Sequence, residues 1–93
     1  MQIFSRDDKS QRVQVFALHD TAANSHAMPL FFASEGLAVR AFQDAANGGD
    51  PNISKHPQAF TLHKIGTYDP VSGILYPEGP TLVVSAASLV NTK

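Results

Sequence analysis

Ser34-Glu35-Gly36-Leu37-Ala38-Val39-Arg40-Ala41-Phe42-Gln43-Asp44-Ala45-Ala46-Asn47-Gly48-Gly49-Asp50-Pro51 is the stretch that decides the fold. Leu37, Ala38, Ala41, Phe42 and Ala45 recur at three- and four-residue spacings, with Arg40, Gln43 and Asp44 on the opposite side. That period belongs to an amphipathic helix with one apolar stripe. Ser34 is a good N-cap, and Glu35 in the first turn suits the positive end of the helix dipole. Asn47-Gly48-Gly49 tolerates left-handed backbone, and Pro51 prevents continuation. The spacing predicts a helix over residues 35–46. Its stripe is mostly alanine, so it can lie close against a sheet while burying little area per turn.

Outward from the helix, the chain reads as strands. Residues 52–58 form a connector containing Pro57, and 60–68 a strand in which Gly66 marks a bulge. Residues 68–74, with Asp69, Pro70 and Gly73, make a turn. Ile74-Leu75-Tyr76 returns as a second arm, which Pro77-Glu78-Gly79-Pro80 breaks. Residues 81–85 are β-rich, and 86–90 continue the strand or form a short helix. Before the helix, residues 2–5 and 13–18 alternate with period two around a polar turn, predicting a first hairpin. Residues 20–26 lack periodicity and are expected to be a mobile loop. Met28-Pro29-Leu30-Phe31-Phe32 reads as an edge strand or an extended entry, because Pro29 cannot donate to a ladder. The expected fold class is α+β: a small, mostly antiparallel sheet of about five short strands with one main helix packed on one face. Residues 1–93 form a single domain.

Composition narrows the function classes. Hydrophobic residues make up 43% of the chain and charged residues 16%, a globular rather than disordered balance. Cysteine is absent, which excludes disulfides, a thiol nucleophile and thiolate metal sites. Seven basic against eight acidic residues give a formal charge of −1, against the strong basic excess of a dedicated nucleic-acid binder. The opening Met-Gln-Ile-Phe-Ser-Arg-Asp-Asp reads as a strand and not a signal peptide, and no apolar run is long enough to cross a bilayer. His19, His26, His56 and His63 have no ligand spacing on a helix, so no metal site is expected. Ser54 beside Lys55-His56 is only a sequence neighbour, and Gly48-Gly49 follows the helix where a phosphate cradle would precede one. The chain is expected to be nonenzymatic and to need no cofactor.

The order of segments resembles a known family. Met-Gln-Ile-Phe-Ser-Arg-Asp at the start is one part of the likeness, and Pro29-Leu30-Phe31-Phe32-Ala33 feeding Ala38-Val39-Arg40-Ala41-Phe42 is another. Ile53-Ser54-Lys55-His56-Pro57 follows, then Phe60-Thr61-Leu62-His63-Lys64-Ile65-Gly66-Thr67-Tyr68-Asp69, Gly73-Ile74 and Leu82-Val83-Val84. Together they resemble the small nonstructural proteins of gokushovirus-type microviruses, phages with circular single-stranded DNA genomes. The resemblance spans almost the whole chain; segment 11–27 is longer than in that family, which makes the first hairpin an elaboration. It implies a protein of the bacterial host cytoplasm that binds single-stranded DNA and assists genome replication or packaging.

Single-strand binders combine aromatic platforms with cations along the backbone. The second hairpin offers Tyr68 and Tyr76 near Lys64, with Lys55 just before it; the first offers Arg6 and Arg12. These six are the candidate DNA-binding residues, weighed against the plainer reading of core aromatics and solvated charges. The alternative function is a protein–protein interaction or scaffolding subunit, its strand edges pairing with viral replication or capsid proteins without touching DNA. Either way a homo-oligomer is expected, since short strands and a thin helix leave apolar surface uncovered.

Overall fold

The computed structural model describes residues 12–91. The predicted strand at 2–5, and with it one arm of the first hairpin, lies outside them. Five antiparallel strands form one sheet: β1 (Val13–Asp20), β2 (Ser25–His26), β3 (Leu30–Phe32), β4 (Phe60–Asp69) and β5 (Ile74–Ser85). The order is β2-β1-β4-β5, and β3 pairs with β1 beside β2. The main helix, α1 (Glu35–Asp44), packs on one face, and a short helix, α2 (Pro51–Lys55), follows it. The predicted α+β class is the class observed.

Local chemistry sets the helix ends. The Leu37 N–H donates to Ser34 Oγ at 3.2 Å, so the predicted N-cap is in place. Beyond Asp44 the backbone widens through Ala45–Gly49 and leaves helical geometry at Asn47 and Gly48. Gly48, at φ +125°, takes the conformation that side chains avoid. Asn47 has φ −102° and contributes its side chain instead. Its Nδ2 donates to the carbonyls of Gln43 (2.8 Å) and Leu89 (2.9 Å), while its Oδ1 accepts from the Asn91 N–H (2.7 Å). One amide thereby ties the end of the chain to the end of the helix.

The stripe on α1 differs from the expected one. Ala38 and Phe42, followed by Ala46 in the widened turn, are buried at four-residue spacing, whereas Leu37 is 50% exposed and Ala41 is exposed. Phe16, Leu62, Ile53 and Ala86 complete the cluster they enter. The expected connector at 52–58 is largely helical: Asp50 Oδ1 accepts from the Asn52 N–H (3.0 Å), Pro51 opens α2, and Ile53 is buried.

The expected mobile loop at 20–26 is a hairpin. Asp20 Oδ1 accepts from the N–H groups of Ala22 (2.9 Å) and Ala23 (3.3 Å), and Asn24 takes φ +52°. The turn is fastened to the chain before β4 by the Thr21 N–H and hydroxyl, which both donate to the Ala59 carbonyl. β5 also runs through the expected break at residues 77–80, with register shifts against β4 between Leu62 and His63 and between Lys64 and Gly66. Among the described residues β5 pairs only with β4, and an edge strand accommodates proline because its outer N–H groups have no ladder partner to lose. The second shift falls at the predicted bulge, where a Cβ on Gly66 would collide with the Tyr76 carbonyl oxygen. Residues 86–89 form a 3-10 turn, the second of the two expected alternatives.

Candidate nucleic-acid interface

Strand register sorts the candidate residues onto two faces. Phe16 lies opposite Lys64 and Leu18 opposite Leu62, so these side chains share the helix-bearing face. Val15 pairs with Phe31, Val13 with Tyr68, Ala17 with His63, and Tyr68 with Leu75; these share the other face. None of this second set belongs to the core cluster that the helical segments build.

The second face carries an apolar groove of about 370 Å³. Its floor is Val15, 1% exposed, and its walls are Pro29, Phe31, Ile65, Leu75 and Pro77. Phe31 and Leu75 are about half exposed along its rim. Tyr68 stands against Phe31 with ring centroids 6.0 Å apart and planes at 78°, an edge-to-face pair. Next along the same face come three imidazoles. The hairpin turn at 21–24 sets His26 opposite His19, and β4 places His63 beside both. The ring centroids of His19 and His26 are 4.5 Å apart, and each is 5.7 Å from that of His63. Burial, then the neighbouring His19 and His26, lower the His63 pKa below its ordinary 6.5. Among the described residues no three His, Asp or Glu side chains are arranged to hold a metal ion. By register, no described strand position on this face carries Lys, Arg, Asp or Glu.

The five predicted site residues that are described do not gather at one place. Of these, Tyr68 alone lies on the grooved face. Tyr76, opposite Thr67, points to the other side, where the Arg12 guanidinium lies 4.0 Å from its ring centroid. Arg12 also helps hold the Asp69 carboxylate. Burial pushes that carboxyl up, but N–H donation from Val71 (2.9 Å) and Ser72 (3.4 Å), with the Arg12 charge, brings it below the ordinary value. Lys64 sits 3.8 Å from Glu78 on the helix-bearing face. Lys55 is exposed at the end of α2, and Arg6 lies outside the described residues. Phe31 and the three histidines were not among the predicted residues. Period-two alternation would have shared Phe31 with the groove, but only strand register reveals the histidine cluster.

Among the described residues no helix is long and apolar enough to cross a membrane. Comparison with curated proteins finds no match, and comparison with solved structures finds none either. A family model described as phage ORF5 protein matches residues 13–89, which takes in all five strands and both helices. The chain belongs to the phage ORF5 protein family.

Proposed function

We propose that this phage protein binds single-stranded DNA through the grooved face of its sheet, and so assists genome replication or packaging in the infected bacterial cytoplasm. The observation that carries the reading is the Phe31–Tyr68 pair on a face where no described strand position bears a carboxylate. Exposed aromatics on a sheet give unpaired bases a stacking surface that every base can use. Most aromatic rings of a small domain are consumed by its core, as Phe16 and Phe42 are here, so a half-exposed phenylalanine touching a tyrosine calls for a partner. The protein acts by binding and not by catalysis.

Anisotropy titration with short single- and double-stranded DNA at two salt concentrations tests this. Single strands are expected to bind better, and Phe31→Ala and Tyr68→Ala should each weaken binding by about 1–3 kcal/mol. If Lys55→Gln with Lys64→Gln abolishes binding while both aromatic variants bind as the parent does, the site lies on the helix-bearing face and this assignment is wrong. Leu75 and Leu82, 54% and 60% exposed, favour a second reading in which the same face seats another protein. Absence of DNA binding at low salt would leave that reading standing alone.

A further inference from the structure

A DNA-binding face on which no described strand position carries lysine or arginine needs another source of positive charge. We propose that His19, His26 and His63 form a proton-dependent phosphate site that anchors the DNA backbone beside the Phe31–Tyr68 pair. The inference rests on the DNA reading above and supplies the charge that the reading lacks.

Three imidazoles from three strands lie within 4.5–5.7 Å of one another, centroid to centroid, on the same face as the aromatic pair. His19 and His63 are half-buried and His26 is exposed, so an anion can reach the cluster from solvent. Among the described residues no carboxylate forms an ion pair with the three rings, although Asp20 and Asp50 line a cavity with His26. On β1, Asp20 is turned away by strand alternation and accepts from the Ala22 and Ala23 N–H groups. On β4, Lys64 is likewise turned to the far face, where β5 supplies Glu78. The β5 residues opposite this region are Leu82 and Ser85, neither of which titrates, and β2 adds only His26 and Ser25. Among the described residues Thr61 Oγ1, 3.4 Å from His63 Nδ1, is the one side-chain hydrogen-bond partner of the trio.

Imidazolium groups this close repel, and burial together with the neighbouring His19 and His26 already holds the His63 ring below its ordinary pKa. A phosphodiester oxygen lying over the rings reverses that balance. It accepts hydrogen bonds from protonated rings and cancels the repulsion, so binding draws protons from solution. Linkage then fixes the sign. A site that takes up one proton on binding strengthens by up to about tenfold per pH unit as pH falls from the raised pKa of the complex towards the pKa of the free site, and is insensitive to pH on either side of that window. The position fits the ligand as well. Bases stacked at Phe31 and Tyr68 leave their connecting phosphates to pass along the strand ends, where the imidazoles are.

The test is the affinity of a labelled oligothymidine between pH 7.5 and 5.5 at constant ionic strength. It compares the full chain with His19→Asn/His63→Asn and with His26→Asn, the last on an exposed two-residue strand where folding is least at risk. The parent should bind about tenfold or more tightly at pH 5.5, and the variants should lose most of that slope. Measurable binding with a flat profile, or variants that keep the parent's slope, would overturn the histidine site and leave the DNA reading intact. If no DNA binds at any pH, the DNA reading has failed, and inorganic phosphate at pH 5.5 decides the site by itself. Imidazole proton resonances of all three histidines shifting with phosphate would uphold a phosphate site; unshifted resonances would end it.

Discussion

Phe42→Ala is the sharpest test of how the helix meets the sheet. Phe42 is 4% exposed and packs in a cluster with Phe16, Ala38, Ala46, Ile53, Leu62 and Ala86. A buried phenylalanine removes about 150–250 Å² from water, worth about 4–6 kcal/mol at 25 cal/mol/Å² as an upper bound. Three of its neighbours are alanines, which have no rotamers with which to fill the vacated space, so most of the cavity should persist. The expected loss is therefore about 3–5 kcal/mol. Against a total stability of about 5–14 kcal/mol for a chain this size, that is severe. At about 4–8 °C per kcal/mol it lowers Tm by at least about 12 °C. Leu37 supplies the internal control. The sequence pattern places it on the same stripe, yet it is half exposed, and Leu37→Ala should cost no more than about 1 kcal/mol. Urea unfolding followed by circular dichroism measures both. A Phe42→Ala loss below about 1 kcal/mol, or a larger loss for Leu37→Ala, would show that the helix presents a different face.

Asn47→Ala removes three hydrogen bonds at an exposed joint, and should cost about 1–2 kcal/mol while speeding amide exchange at residues 86–91; unchanged exchange there would mean that the 3-10 turn holds itself. Tyr76→Ala should lower stability by about 0.5–2 kcal/mol through loss of the Arg12 contact, yet leave single-stranded DNA affinity near the parent's, the reverse of Tyr68→Ala. Below about pH 6.5 the unfolded chain binds more protons at position 63 than the folded one, because the folded pKa is lowered; stability should fall with pH there, and His63→Asn should flatten the slope in chemical denaturation. The Asp69 carboxyl is also held low, so its stabilisation is present above about pH 4 and lost as pH falls further; Asp69→Asn should remove that lower step only.

What was legible in the sequence was what neighbouring residues decide among themselves. Ser34 and Gly48 end the helix by their own hydrogen bonding and backbone preference, and Gly66 marks the bulge for the same reason. The helix face was harder to read. A stripe of alanines has little polarity, so sequence spacing admitted Leu37 and left Ala46 out, and only packing against Phe16 and Leu62 fixes the rotation. The hairpin at 20–26 lacks periodicity because β2 is two residues long, although Asp20 and Asn24 were its turn signals. Pro51 stopped one helix in the sequence reading and in fact opens the next. Pro77 and Pro80 looked like a break because the pattern gives no hint that β5 is an edge among the described strands.

The candidate site was less legible, since parity and register create it. With Asp69 opposite Ile74, Tyr68 faces Leu75, and Tyr76 must then point to the other side; a fixed turn would have separated the two tyrosines from sequence. The histidines are 7 and 37 residues apart along the chain, and two pairings must both be known before they meet.

The resulting division of charge bears on how such a protein would work. Every lysine, arginine and carboxylate on the described strands lies on the helix-bearing side or in the hairpin ends, and the described strand positions of the grooved face carry apolar, aromatic, imidazole and hydroxyl groups. Two stacking rings at about 1–3 kcal/mol each supply about 2–6 kcal/mol, short of the roughly 8 kcal/mol that a micromolar complex requires. On the proposed reading, proton uptake at the imidazole cluster narrows that gap as pH falls. A single copy on the proposed reading is then a weak, sequence-tolerant and nearly salt-independent binder. Useful affinity at neutral pH requires several copies on one strand, because linked sites turn the second contact into an intramolecular one. The long β5 edge and the exposed Leu82 beside it are where such copies would meet. Sedimentation with and without oligothymidine separates the possibilities. Copies that add to a long oligomer more tightly than to a short one fit this argument, and a strict one-to-one complex of high affinity at neutral pH would refute it.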